Sequence, residues 1–164
     1  TGSSGQLAAE LMLSRSQTRM IHVPYKGSGP ALSDVMAGRV PVTVESQAAT
    51  LPMINSGKLR AIAVTSALRS SKFPTVPTFG ESGLPNFDVS AWIGVLGQAA
   101  IPPAILKKIA ADLAQIMEAK DIRQRIGELG LEAAPMGAEQ FAVHIRREID
   151  KYSAIAKAAN IKAE

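Results

Sequence analysis

Residues 19–65 decide the fold. They run Arg19-Met-Ile-His-Val-Pro24, Tyr25-Lys-Gly-Ser-Gly-Pro30, Ala31-Leu-Ser-Asp-Val-Met36, Val40-Pro-Val-Thr-Val44, Gln47 to Asn55, and Leu59-Arg-Ala-Ile-Ala-Val-Thr65. Apolar, β-branched runs alternate with stretches that have helix signals at both ends. Pro30 suits a first helical turn, where its missing N–H would have had no partner anyway. Gly38 and Gly57 can take the left-handed conformation that closes a helix. Strand, helix, strand, helix, strand with such short connections predicts an α/β fold, a parallel sheet with flanking helices. The strands at 19–24, 40–44 and 59–65 are expected to be parallel neighbours. Loops 26–30 and 45–47 then fall at one common sheet edge.

Upstream, Thr1-Gly-Ser-Ser-Gly5 leads into apolar positions 7, 8, 11 and 12, the pattern of a short helix capped by Ser3 or Ser4. Downstream, Pro74, Pro77 and Pro85 with Gly80 and Gly83 mark residues 67–86 as a loop holding one helical turn at most. Val89 to Leu96 is extended and apolar, a strand joining two lobes. After Pro102-Pro103, the residues Ile105, Leu106, Ile109, Leu113, Ile116 and Met117 share one helical stripe. A helix at 121–129 closes at Gly130, 131–134 reads as a short strand, and 138–159 as a long helix. Phe141, Ile145, Ile149, Tyr152 and Ile155 are its expected inward face. The domain reading is an α/β unit at 1–88, a connecting strand at 89–96, and a helical part at 97–164.

Composition removes several classes of function. The 164 residues hold 46% hydrophobic and 20% charged side chains, enough to bury a core and stay soluble. Cysteine is absent, which excludes disulfides, thiolate catalysis and cysteine-ligated metal while remaining compatible with export. His22 and His144 are the two histidines, and neither has a second at ligand spacing, so no metal and no cofactor are expected. His22 reads as a core residue and His144 as a surface one. The net charge of +4 is spread and interleaved with acids, and aromatics are only 4%, so no nucleic-acid platform is expected. No apolar run approaches the roughly 20 residues that cross a bilayer. No signal peptide is expected, because small polar residues follow residue 1 at once.

Three places carry candidate chemistry. Gly2-Ser3-Ser4-Gly5 opens a helix, where unpaired N–H groups and the dipole favour an anion, though a plain capping turn explains the same spacing. It lacks the lysine of a phosphate loop and the base of a serine nucleophile, so no catalytic residue is assigned. Tyr25-Lys26-Gly27-Ser28 lies at the expected carboxyl end of a strand, the edge where α/β sheets bind ligands, and a structural turn is the alternative. Glu45 occupies the same edge after the next strand, able to accept a ligand's hydrogen bond or to cap the helix at 47. Trp92 reads as core.

Several stretches together resemble the solute-binding proteins of tripartite tricarboxylate transporters, the Bug or TctC family. They are Thr1-Gly-Ser-Ser-Gly-Gln-Leu-Ala-Ala-Glu-Leu11, His22-Val-Pro-Tyr-Lys-Gly27 with Pro30-Ala31, Gly57-Lys-Leu-Arg-Ala-Ile-Ala-Val-Thr-Ser66, Pro74-Thr-Val-Pro-Thr-Phe79 and Trp92-Ile-Gly94. The resemblance covers essentially the whole chain. It implies part of a type II periplasmic-binding-protein fold, a Venus flytrap of two α/β lobes, in chains about twice as long. By that resemblance residues 1–88 are most of the second lobe and 95–164 the return to the first. It further implies a non-enzymatic periplasmic receptor that captures a small carboxylate for a membrane permease. Ser3 and Ser4 would bind a ligand carboxylate, Glu45 would meet a polar ligand group, and Tyr25, Lys26, Gly27 and Ser28 would wall the site. The sequence departs from the family at Gln6, where histidine is common, and at Val44-Glu45, where Phe-Asp is usual. A sensory partner of a membrane receptor is the alternative. Read as a truncated form, the chain is expected to bind carboxylates poorly and to pair into a homodimer or a swapped assembly.

Overall fold

Ser3 caps the first helix of the computed structural model, which describes residues 2–159 and 161. Its Oγ accepts the Gln6 amide at 3.2 Å, satisfying one N–H that a helix start leaves unpaired. Helix α1 then runs Ser4–Ser16 and stops where Gln17 turns left-handed at φ 55°. Helix α2 spans Ser28–Met36 and α3 spans Gln47–Asn55. Gly38 and Gly57 follow them at φ 72° and 71°, the geometry expected of glycines past a helix end.

Between these helices the chain is extended but forms no sheet among the described residues. The segments at 19–24, 40–44, 59–65, 89–96 and 131–134, expected as strands, form no sheet with one another among the described residues. One parallel bridge joins Val64 to Thr78. Val64 N–H donates to the Pro77 carbonyl (2.9 Å), Phe79 N–H to Val64 (3.1 Å), and Val89 N–H to Thr65 (2.9 Å). The end of the 59–65 segment thus meets the proline-rich stretch that follows it, not 40–44. The physical reason lies in donors and cover. Pro24, Pro41, Pro74 and Pro77 cannot donate to a ladder. Ile21 and Ile62 remain 93% and 64% exposed, so no second layer holds those segments flat. His22 is exposed as well, contrary to its reading as core.

The described residues up to Ala91, with those from Tyr152 onward, make one compact unit, and Trp92–Lys151 makes another. In the first, Leu7 and Ala8 of α1 pack with Phe87, Val89 and Ile155. Phe87 is 2% exposed, its ring 4.8 Å from that of Phe79. Arg15 closes over this core: its guanidinium lies 5.9 Å from the Phe87 ring and donates to the Pro85 carbonyl at 3.1 Å. The turn before Phe87 is pinned reciprocally. Thr78 N–H donates to Glu81 Oε2 (2.8 Å) and Glu81 N–H to Thr78 Oγ1 (3.0 Å), a capping box without a following helix.

The second unit holds α4 (Pro103–Glu118), α5 (Lys120–Glu128) and most of α6 (Ala138–Ala158). Its stripe residues Ile105, Leu106, Ile109 and Ile116 stay exposed. Trp92 is not core: it is 40% exposed and meets Phe141 and His144 edge-on, each at 5.4 Å. His144 is consequently half-buried rather than a surface residue. Ile149, expected to face inward, is exposed, whereas Glu148 is buried and pairs with Lys151 at 2.5 Å.

Candidate functional site

Glu45 sits where three helix starts meet. Val44 places its carbonyl against Gly5 in the first turn of α1, in the space a Cβ would need. Ser28, the first residue of α2, donates from Oγ to Glu45 Oε2 at 2.9 Å. Ser46 donates its N–H to the same oxygen (3.3 Å), and its Oγ accepts the Ala49 amide (3.3 Å) as the cap of α3. The two loops expected at a common edge, 26–30 and 45–47, are therefore joined by a hydrogen bond even though the ladder beneath them is not formed. One Glu45 oxygen thus accepts from the first residue of α2 and from the cap of α3, while the preceding residue touches the first turn of α1.

The individual residues divide. Ser3 has its hydroxyl engaged by the Gln6 amide, and the Gln6 side chain reaches back to Gly2 N–H at 2.7 Å. Ser4 begins α1 half-buried. Gly27 turns the chain into α2 at φ 106° with open space where a side chain would stand, a conformation glycine adopts without steric penalty. Lys26 is exposed beside it. Tyr25 is half-buried, and its hydroxyl donates to Asp34 Oδ2 at 2.7 Å. That bond raises the Tyr25 pKa above the ordinary phenol value and, with the Arg39 guanidinium at 2.7 Å, lowers that of Asp34.

Gln6 enters the sequence reading only as a departure from the family and Ser46 only within loop 45–47, and Asp34 carries no role in it. Gln6 had a further signal: Ser3-x-x-Gln6 is capping-box spacing. Asp34 had none, because its link to Tyr25 crosses the helix between them. Two residues weighed for chemistry lie elsewhere: His22 is exposed, and His144 belongs to the second unit. Among the described residues no group of His, Asp and Glu could hold a metal ion, and no helix is long and apolar enough to cross a membrane.

The arrangement offers hydroxyl and amide donors together with one carboxylate acceptor, groups that hydrogen-bond a small polar molecule. Comparison with known proteins gives the class its family. The profile described as "Tripartite tricarboxylate transporter family receptor" matches residues 1–161, and the chain belongs to that family. Its members are solute receptors, not enzymes. Among curated relatives, the "UPF0065 protein in tcbD-tcbE intergenic region" of Pseudomonas sp. (strain P51) is 34% identical over 92% of this chain and 45% of its own length. Protein BugT of Bordetella pertussis is 32% identical over 98% of this chain and 49% of its own. Among solved structures, Rpa4515 of R. palustris with adipate superimposes with a TM-score of 0.86 at 29% identity, covering 96% of this chain and 53% of that one. MatC of Rhodopseudomonas palustris with bound malate gives 0.77 at 27% identity, covering 93% and 53%. The chain spans about half the length of these two curated relatives.

Proposed function

We infer that this chain supplies one side of a periplasmic receptor that captures a small carboxylate and delivers it to the membrane permease of a tripartite transporter. The Ser28–Glu45 bond, which ties the start of α2 to the segment whose Val44 carbonyl abuts the first turn of α1, carries this reading. The start of α1 at Ser3 and Ser4 would receive a ligand carboxylate on free helix amides. Glu45 would accept from a ligand hydroxyl or ammonium through Oε1, which has no hydrogen bond among the described residues. Gly27 and Ser28 would bring backbone and hydroxyl close to the ligand, with Tyr25 and Lys26 as the wall.

The α/β sheet belongs to the same proposal. Ile21, Val23 and Ile62 lie exposed in runs whose composition is that of strands covered on their faces, and the intact receptor would cover them. Residues 1–88 would form most of one lobe, 89–96 the connection, and 97–164 the return to the other. The test is calorimetric titration of the protein expressed from its complete gene with malate, adipate, citrate and amino acids. Saturable binding of one of them is expected. Binding of nucleotides with no response to any carboxylate overturns the reading.

A further inference from the structure

We propose that Asp34 and Arg39 are positioning residues of this site, acting through Tyr25 to hold the loop that presents Ser28 to Glu45. The inference rests on the carboxylate-receptor reading above and gives Tyr25, besides its place in the wall, a structural hold through its hydroxyl.

Gly27 turns the chain into α2 at φ 106° and would meet nothing within 4 Å if given a Cβ. That glycine leaves the approach to Ser28, the first residue of the helix, many conformations to lose when Ser28 engages Glu45. A contact from the helix back to this approach restricts it, and Asp34 makes one. It lies in the last turn of α2, six residues beyond Ser28, and gathers the chain from both sides of the helix. At the entrance, Tyr25 O–H donates to Oδ2 at 2.7 Å. At the exit, Arg39 donates to Oδ1 at 2.7 Å, while Arg39 N–H (2.9 Å) and Val40 N–H (3.3 Å) both donate to the Asp34 carbonyl. One residue thus closes a brace around α2, with Ser28 at the open end of it.

Arg39 has a second effect. Asp34 adds a negative charge close to a site that would receive an anion. The guanidinium offsets that charge, although at 72% exposure it is screened by salt and its share is small. Tyr25 is the stronger link because it is half-buried and is bonded to a charged acceptor.

The experiment is a double-mutant cycle on the protein expressed from its complete gene, read by malate and adipate titration and by amide hydrogen exchange. Tyr25→Phe keeps the ring and removes only the hydroxyl, so the fold is preserved. It should weaken binding by about threefold to tenfold, the value of one lost hydrogen bond, with a small drop in the unfolding midpoint and a cooperative melt retained. Combined with Ser28→Ala the loss should be no greater than for the more severe single variant, because both act through one contact. Arg39→Ala should weaken binding by about twofold, more at low salt. Amides of residues 27–31 should exchange faster in Tyr25→Phe. Additive losses in the cycle, or unchanged exchange at 27–31, overturn the proposal. If the unaltered protein binds no carboxylate, the receptor reading falls, while the exchange measurement still decides the brace.

Discussion

The two units make opposite use of regular structure. In the first, the core is shared between two helices and the irregular stretch before Ala91: Leu7, Ala8 and Ile155 pack on Phe87 and Val89, with Phe79 and Leu84 alongside. In the second, three amphipathic helices carry well-formed apolar stripes, yet no apolar side chain among its described residues is buried. Ile105 and Ile116 stand about half exposed, and the buried charged residue there is Glu148, whose Oε2 lacks a hydrogen bond. Periodicity reports that a helix has an apolar face. Burial requires a partner for that face, and the partner can be an aperiodic loop rich in proline. A buried carboxylate oxygen without a donor carries a desolvation penalty, which the second unit bears without a packed core to set against it.

The sharpest way to break this contrast is to empty each unit's central ring. Phe87→Ala should destabilise the first unit by about 3–5 kcal/mol, the range for a fully buried aromatic. Phe141→Ala, half-buried beside Trp92, should cost about 1–2 kcal/mol by the area it loses. Denaturant melts of the two variants check the order, and equal losses would mean that the second unit has a core of its own.

Two glycines sharpen it further. A Cβ at Gly5 would strike the Val44 backbone carbonyl, and one at Gly94 would strike the Phe141 ring. Backbone cannot swing aside, whereas a half-buried ring can. Gly5→Ala should therefore cost about 1–3 kcal/mol and displace α1 from Glu45. Gly94→Ala should cost less than about 1 kcal/mol while moving the Phe141 ring. Thermal melts give the cost, and the tryptophan emission of Trp92 reports the ring.

Acid should loosen the first unit before the second. Arg69 and the Thr78 amide hold Glu81 below the usual carboxylate range, and Tyr25 with Arg39 does the same for Asp34. A depressed folded-state pKa contributes stability that is fully present above the ordinary value near pH 4. That contribution is lost as pH falls through the lowered value. Melting temperature against pH should drop through this window, and Glu81→Gln should flatten the drop. The effect is modest because both pairs face solvent.

The smallest expected effect is at Lys26, whose exposed side chain reaches water more readily than a ligand. Lys26→Ala should weaken carboxylate binding by less than about tenfold, measured by titration at two salt concentrations. A complete loss would move Lys26 from the rim of the site to its centre.

Much of this molecule follows from local rules that the sequence determined by itself. Ser3 caps α1, Gly38 and Gly57 end α2 and α3, Pro103 opens α4, and Gly130 turns after α5, because caps and left-handed glycines depend on neighbours a few residues away. The loops at 26–30 and 45–47 were also legible as partners, and Ser28 and Glu45 meet. Tertiary structure alone decided the rest. Strand formation needs a second chain segment in register, and prolines and missing cover left 19–24, 40–44 and 59–65 without a ladder. The core role of Phe79, Leu84 and Phe87 was hidden because they follow no period. The brace from Asp34 to Tyr25 was hidden because it spans a helix. Contacts between residues far apart in sequence depend on where the backbone brings them, and no window of neighbouring residues contains that information.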